Sequence, residues 1–93
     1  MNKTGQALSI DVTVVNDLGL HARSASKIAE IAMQATSKVW VQRNEERVDA
    51  GSILDILTLA CEKGSILTIE IEDRADMLIL NRIVDLVKNG FGE

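Results

Sequence analysis

A chain of 93 residues, 46% of them hydrophobic, suffices for one packed core and not for two, and a charged fraction of 26% argues against disorder. The formal net charge of -4 excludes a broad basic surface for nucleic acid, so no nucleic-acid partner is expected. A single cysteine cannot form an internal disulfide, "MNKTGQALSI" lacks the apolar run of a signal peptide, and nowhere do about eighteen apolar residues follow one another; a cytoplasmic protein without a membrane segment is expected.

Residues 1–7 are expected to form a flexible extension and residues 8–93 a single domain. In "LSIDVTVV" (8–15), Leu8, Ile10, Val12 and Val14 alternate with polar residues, which predicts a strand with one buried face. Residues 22–36 place Ala25, Ile28, Ala29, Ala32, Met33 and Thr36 at helical spacing, with Lys27, Glu30 and Gln34 left to solvent. "KVWVQR" (38–43), an interrupting "NEE" and residues 47–50 predict a hairpin in which Val39 and Val41 face the core. Trp40 then falls on the other face, either partly covered by Ile66 and Val15 or left as a contact surface.

From Ser52, a short helix takes Ile53, Ile56, Leu57 and Ala60 at helical spacing and ends at Gly64. Residues 66–72, "ILTIEIE", turn Leu67, Ile69 and Ile71 inward in another strand, and a last helix carries Leu78, Leu80, Ile83, Leu86 and Val87. Cys61 has no second cysteine or histidine beside it and is expected to be a small core residue. Strand, helix, hairpin, helix, strand, helix is an α+β pattern with helices stacked on one face of an antiparallel sheet.

His21 stands directly before the first helix and is the only histidine. One reading makes it a loop residue or helix cap. The other makes it a nucleophile, because the unpaired N–H groups and positive dipole end of a first turn favour a neutral imidazole and attract an anion. A phosphoryl group on that ring would face the N–H groups of Ala22, Arg23 and Ser24, with the Arg23 guanidinium able to stabilise its oxygens. No second histidine or cysteine sits at ligand spacing, so neither a metal nor a cofactor is expected.

Gly19-Leu20-His21-Ala22-Arg23-Ser24-Ala25 resembles the active-site motif of the histidine-containing phosphocarrier (HPr) family of the bacterial phosphoenolpyruvate:sugar phosphotransferase system, Gly-(Ile/Leu)-His-(Ala/Thr)-Arg-Pro-Ala. "GSILDILTLACEKGS" resembles the segment around that family's regulatory serine, and "GFGE" its usual ending. The resemblance implies an open-faced β-sandwich, a four-stranded antiparallel sheet covered on one face by three helices. It implies a carrier and not an enzyme: His21 phosphorylated at Nδ1, Arg23 as phosphate partner, Enzyme I as donor and Enzyme IIA-type proteins as acceptors. It further implies Leu20, Leu54 and Leu57 as partner surface, a monomer, and Ser52 as the match to the serine modified by an HPr kinase/phosphorylase. A regulatory paralogue, in which phosphorylated His21 signals to a partner without sugar transport, is the alternative.

Three residues depart from the family pattern: Ser24 for proline, Leu18 for a small polar residue and Asp55 for glycine. Ser24 removes a preset φ but restores an N–H and adds a hydroxyl near the phosphate, Leu18 enlarges an apolar rim, and Asp55 would repel a phosphate on Ser52. Ser52 also fits as a plain N-cap with Asp55 at the capping-box position.

Overall fold

In the computed structural model, which describes residues 8–93, four strands lie in the order β1-β4-β2-β3, every neighbouring pair antiparallel. They are β1 (Ser9–Thr13), β2 (Val39–Arg43), β3 (Glu46–Asp49) and β4 (Ile66–Ile71). The expected extension at 1–7 lies outside the described residues. Register brings the alternating apolar residues onto one face: Ile69 lies between Ile10 and Val41, Leu67 opposite Val12, and Ile71 opposite Val39. Three helices complete this face of the fold: α1 (Ala22–Ala32), α2 (Ile53–Thr58) and α3 (Met77–Lys88). Ala25, Ile28 and Ala32 of α1 and Leu80, Ile83 and Val87 of α3 join the inward strand residues in one core. The chain is thus an open-faced β-sandwich of the α+β class.

The uncovered face is polar. Thr68 donates to Asp11 across β1 and β4 (2.7 Å), and Arg47 reaches Glu70 (3.3 Å). Trp40 lies on this face as expected, but its cover differs. The Arg47 guanidinium sits 4.2 Å from the ring centroid, Lys38 Nζ 5.8 Å away, and the indole N–H donates to Glu72 (2.8 Å). Cations are attracted to the π face and the carboxylate takes the indole hydrogen, so the ring is satisfied without Ile66 or Val15.

Helix phase and length depart from the sequence reading in three places. α1 stops at Ala32, so Met33 and Thr36 are exposed. α2 stops at Thr58, six residues before Gly64, with Leu59 as its C-cap, and Ala60 takes the left-handed φ of 51°. Its buried residue is Ile56, while Ile53 is exposed. In α3, "MLIL" offers four apolar residues in succession and no unique phase; the helix buries Ile79, Leu80, Ile83, Val84 and Val87 and leaves Leu78 exposed.

Asp76, unremarked in the sequence, ends the short 3₁₀ turn Arg74–Asp76 that leads into α3. Its buried carboxylate accepts from the N–H groups of Thr36 (2.8 Å) and Ser37 (3.0 Å) and from the Thr36 hydroxyl (3.0 Å). The loop after α1 is thereby tied to the start of α3. The Thr36 N–H, foremost among these donors, holds the Asp76 carboxyl below its ordinary pKa. A carboxyl depressed in the folded state contributes stability that is complete above the unfolded pKa and is lost as pH falls through the folded one. Asp76→Asn should therefore lower the melting temperature near neutral pH, and the gap from wild type should close as the pH is lowered through the carboxylate range. A gap independent of pH in thermal melts would mean that the charge of Asp76 has no part in it.

Candidate functional site

The site is built where the chain leaves β1 and enters α1. Gly19 takes a left-handed φ of 65°, and a Cβ there would stand 2.4 Å from the Cys61 carbonyl oxygen. Only glycine allows this approach, and it lets the Leu20 N–H donate to that same oxygen (2.9 Å). Leu20 then turns its side chain into the core, 8% exposed, so it is not part of the expected partner surface.

One residue later His21, with extended backbone, is the N-cap of α1. Its Nδ1 faces the Arg23 N–H at 3.4 Å, and its Nε2 lies 2.7 Å from a carboxylate oxygen of Glu93. The ring is half-buried at the rim of the molecule, with Ala22 and Arg23 exposed beside it. Both readings of His21 meet here, since the ring caps the helix through the atom that faces its first turn.

Ser24 is fully buried. Its Oγ accepts from the His21 N–H (2.9 Å) and donates toward the carbonyls of Gly19 and His21 (both 3.2 Å). The hydroxyl is therefore not held out toward a phosphate as the sequence suggested. It closes a capping box, a role that the proline of the family motif cannot fill.

Glu93 and Asn16 are the residues that sequence reasoning missed. Asn16 Nδ2 donates to the Gly19 carbonyl (2.8 Å) and to Glu93 (3.0 Å). This amide, and next the His21 ring, hold the Glu93 carboxyl below its ordinary pKa. No spacing rule joins residues 16, 21 and 93, and "GFGE" resembles only the family's usual ending. With Val15, Asp17 and Leu18, both residues line a groove of about 350 Å³.

Ser52 lies apart from His21 as the N-cap of α2, accepting from the Asp55 N–H (3.2 Å). Its own N–H donates to the Asp49 carbonyl (3.1 Å), so the reciprocal half of the expected capping box is absent. Leu54 is 76% exposed and Leu57 half-buried. Leu18 at 70%, Val15 and Ile53 are further exposed apolar residues. Burial raises the Cys61 thiol pKa, as expected of a core cysteine without a reactive role. Among the described residues there is no cluster of three potential metal ligands and no helix long and apolar enough to cross a membrane.

An open-faced sandwich with a histidine capping its first helix beside an arginine defines a class of small carrier proteins, and comparison with known proteins places the chain within it. Residues 8–89 match the family described as the PTS HPr component phosphorylation site. The phosphocarrier protein HPr of Neisseria meningitidis serogroup A is 35% identical over 86 residues, covering 92% of this chain and 97% of its own. That of Pseudomonas aeruginosa is 38% identical over 86 residues, covering 91% and 96%. A crystal structure of HPr from Thermoanaerobacter tengcongensis superposes with a TM-score of 0.85 at 29% identity, covering 91% of this chain and 96% of its own. The chain belongs to the HPr family of phosphocarrier proteins of the phosphotransferase system, which carry a phosphoryl group and are not themselves catalysts.

The buried Ser24 hydroxyl generates a prediction. Ser24→Ala leaves the His21 N–H without its acceptor and should lower stability by about 1–2 kcal/mol. Urea unfolding measures this, and a loss within about 0.3 kcal/mol of zero would remove the capping box from the account.

Proposed function

We propose that this chain accepts a phosphoryl group on Nδ1 of His21 from phosphorylated Enzyme I and passes it to Enzyme IIA-type acceptors. The observation that carries the reading is the placement of Nδ1 against the first turn of α1, 3.4 Å from the Arg23 N–H, in a member of a phosphocarrier family. The Nδ1 lone pair forms the N–P bond as the donor's bond to phosphorus breaks and its electron pair leaves with the donor. The phosphoryl oxygens then take up the N–H groups of Ala22, Arg23 and Ser24 and the guanidinium of exposed Arg23. Onward transfer reverses the step with the acceptor as nucleophile. The protein works as a monomer in the cytoplasm and requires no metal or cofactor.

Leu54 and the Leu18 rim offer the apolar contact surface for these partners, with Leu57 contributing its exposed part. The departures at Leu18 and Ser24 give a second reading its footing: a regulatory paralogue whose phosphorylated His21 signals to a partner and feeds no transport. Phosphorylation of Ser52 by a dedicated kinase would have to displace the cap of α2 next to the Asp55 carboxylate, so capping is the role assigned to it here.

Incubation with Enzyme I and labelled phosphoenolpyruvate should give an acid-labile label, lost when an Enzyme IIA-type domain is added. His21→Ala should abolish the label while circular dichroism stays native, and Arg23→Ala should slow transfer about tenfold or more. Labelling that survives His21→Ala would overturn the site. A label on wild type that no acceptor domain removes would favour the regulatory reading.

A further inference from the structure

The Glu93 carboxylate does something that the capping geometry alone does not require. A carboxylate can only accept, so its 2.7 Å contact with Nε2 of His21 calls for the ring hydrogen on that nitrogen. Nδ1 faces a backbone N–H and is thereby left as the acceptor with a free lone pair. The two contacts agree on one tautomer. We propose that Glu93 is a positioning residue that confines phosphorylation of His21 to Nδ1, by holding the hydrogen on Nε2 and covering that nitrogen; this rests on the phosphocarrier reading of His21.

Glu93 is held from several sides. Asn16 Nδ2 donates to its other carboxylate oxygen (3.0 Å) and to the Gly19 carbonyl (2.8 Å), and because both neighbours are acceptors the amide can face them only with its nitrogen. That orientation leaves Asn16 Oδ1 buried and without a partner among the described residues. Lys27 on α1 donates to the Phe91 carbonyl (2.6 Å), and the Phe91 ring is buried in the core. The turn that follows α3 is therefore anchored at Phe91, two residues before the carboxylate.

The arrangement also bears on the direction of transfer. When Nδ1 attacks phosphorus the ring acquires a positive charge while Nε2 keeps its hydrogen, and Glu93 stands opposite that charge. When the N–P electron pair returns to Nδ1, the ring leaves as neutral imidazole with hydrogen still on Nε2. No proton has to be found or lost at either step. Arg23 and Lys27 are the cations of α1, and neither replaces the carboxylate, since both can only donate.

The test uses the free protein and phosphoramidate, a small donor that needs no Enzyme I, so its outcome stands apart from whether Enzyme I recognises the chain. Wild type should show the Nε2–H tautomer in a long-range proton–nitrogen spectrum and give the Nδ1 phosphohistidine isomer by phosphorus NMR. In Glu93→Ala the minor tautomer and the Nε2 isomer should each rise about threefold to tenfold, the range of a lost hydrogen bond. Glu93→Gln, whose amide oxygen still accepts from Nε2, should restore both toward wild type. Circular dichroism shows that the variants are folded. Tautomer and isomer ratios unchanged in Glu93→Ala would overturn the proposal, as would a Glu93→Gln variant no better than Glu93→Ala.

Discussion

The structure turns on a close approach of two backbones, Gly19 against Cys61. β1 must hand the chain to α1 within a few residues, and the route runs so near the loop before β4 that a side chain at 19 would collide with a carbonyl. Val14 and Gly64 extend the same seam: Val14 N–H donates to Ser65 and its carbonyl accepts from Gly64 (2.9 and 2.8 Å). With Leu20 driven into the core on one side and Ser24 on the other, His21 has little freedom in where it emerges. The histidine emerges at the rim between two buried anchors, Leu20 and Ser24.

That placement suits a carrier better than a hydrolase. A phosphoryl group at a helix N-terminus gains about 0.3–2 kcal/mol from the dipole, enough to orient it and too little to trap it. Ser24, the one hydroxyl within the motif, is occupied by capping bonds and fully buried, and Cys61 is buried with its thiol pKa raised. Glu93, the nearby carboxylate, is already engaged by His21 and Asn16. Among the described residues of the site, neither Ser24 nor Glu93 is left free to activate water.

Much of this was legible in the sequence. Period-two alternation identified the inward residues of β1, β2 and β4, because a strand with one wet face writes its burial directly into its pattern. The position of His21 at a helix start followed from the helical run behind it. Short or uniformly apolar helices were less readable: "MLIL" fits several phases, and the one adopted packs Ile79, Leu80, Ile83, Val84 and Val87 into a core that exists only once the sheet has formed. Trp40 was placed on the correct face, yet its covering Arg47 is a neighbour only once β2 and β3 have paired. Asn16 and Glu93 were invisible as site residues for the same reason, since 72 residues separate Glu93 from the ring it touches. Ser24 was seen as a departure from the family motif, but its use as a cap depends on the extended backbone of His21, a tertiary fact.

The central claim is that one histidine ring holds a phosphoryl group only in transit. Its most direct test is a phosphorus NMR spectrum recorded in sequence on one sample: protein alone, then with Enzyme I and phosphoenolpyruvate, then with an Enzyme IIA-type domain in excess. The account predicts a single Nδ1 phosphohistidine resonance that appears at the second stage and is replaced by the acceptor's own signal at the third. A phosphoserine resonance at the second stage, or no phosphoprotein resonance at all, would contradict it.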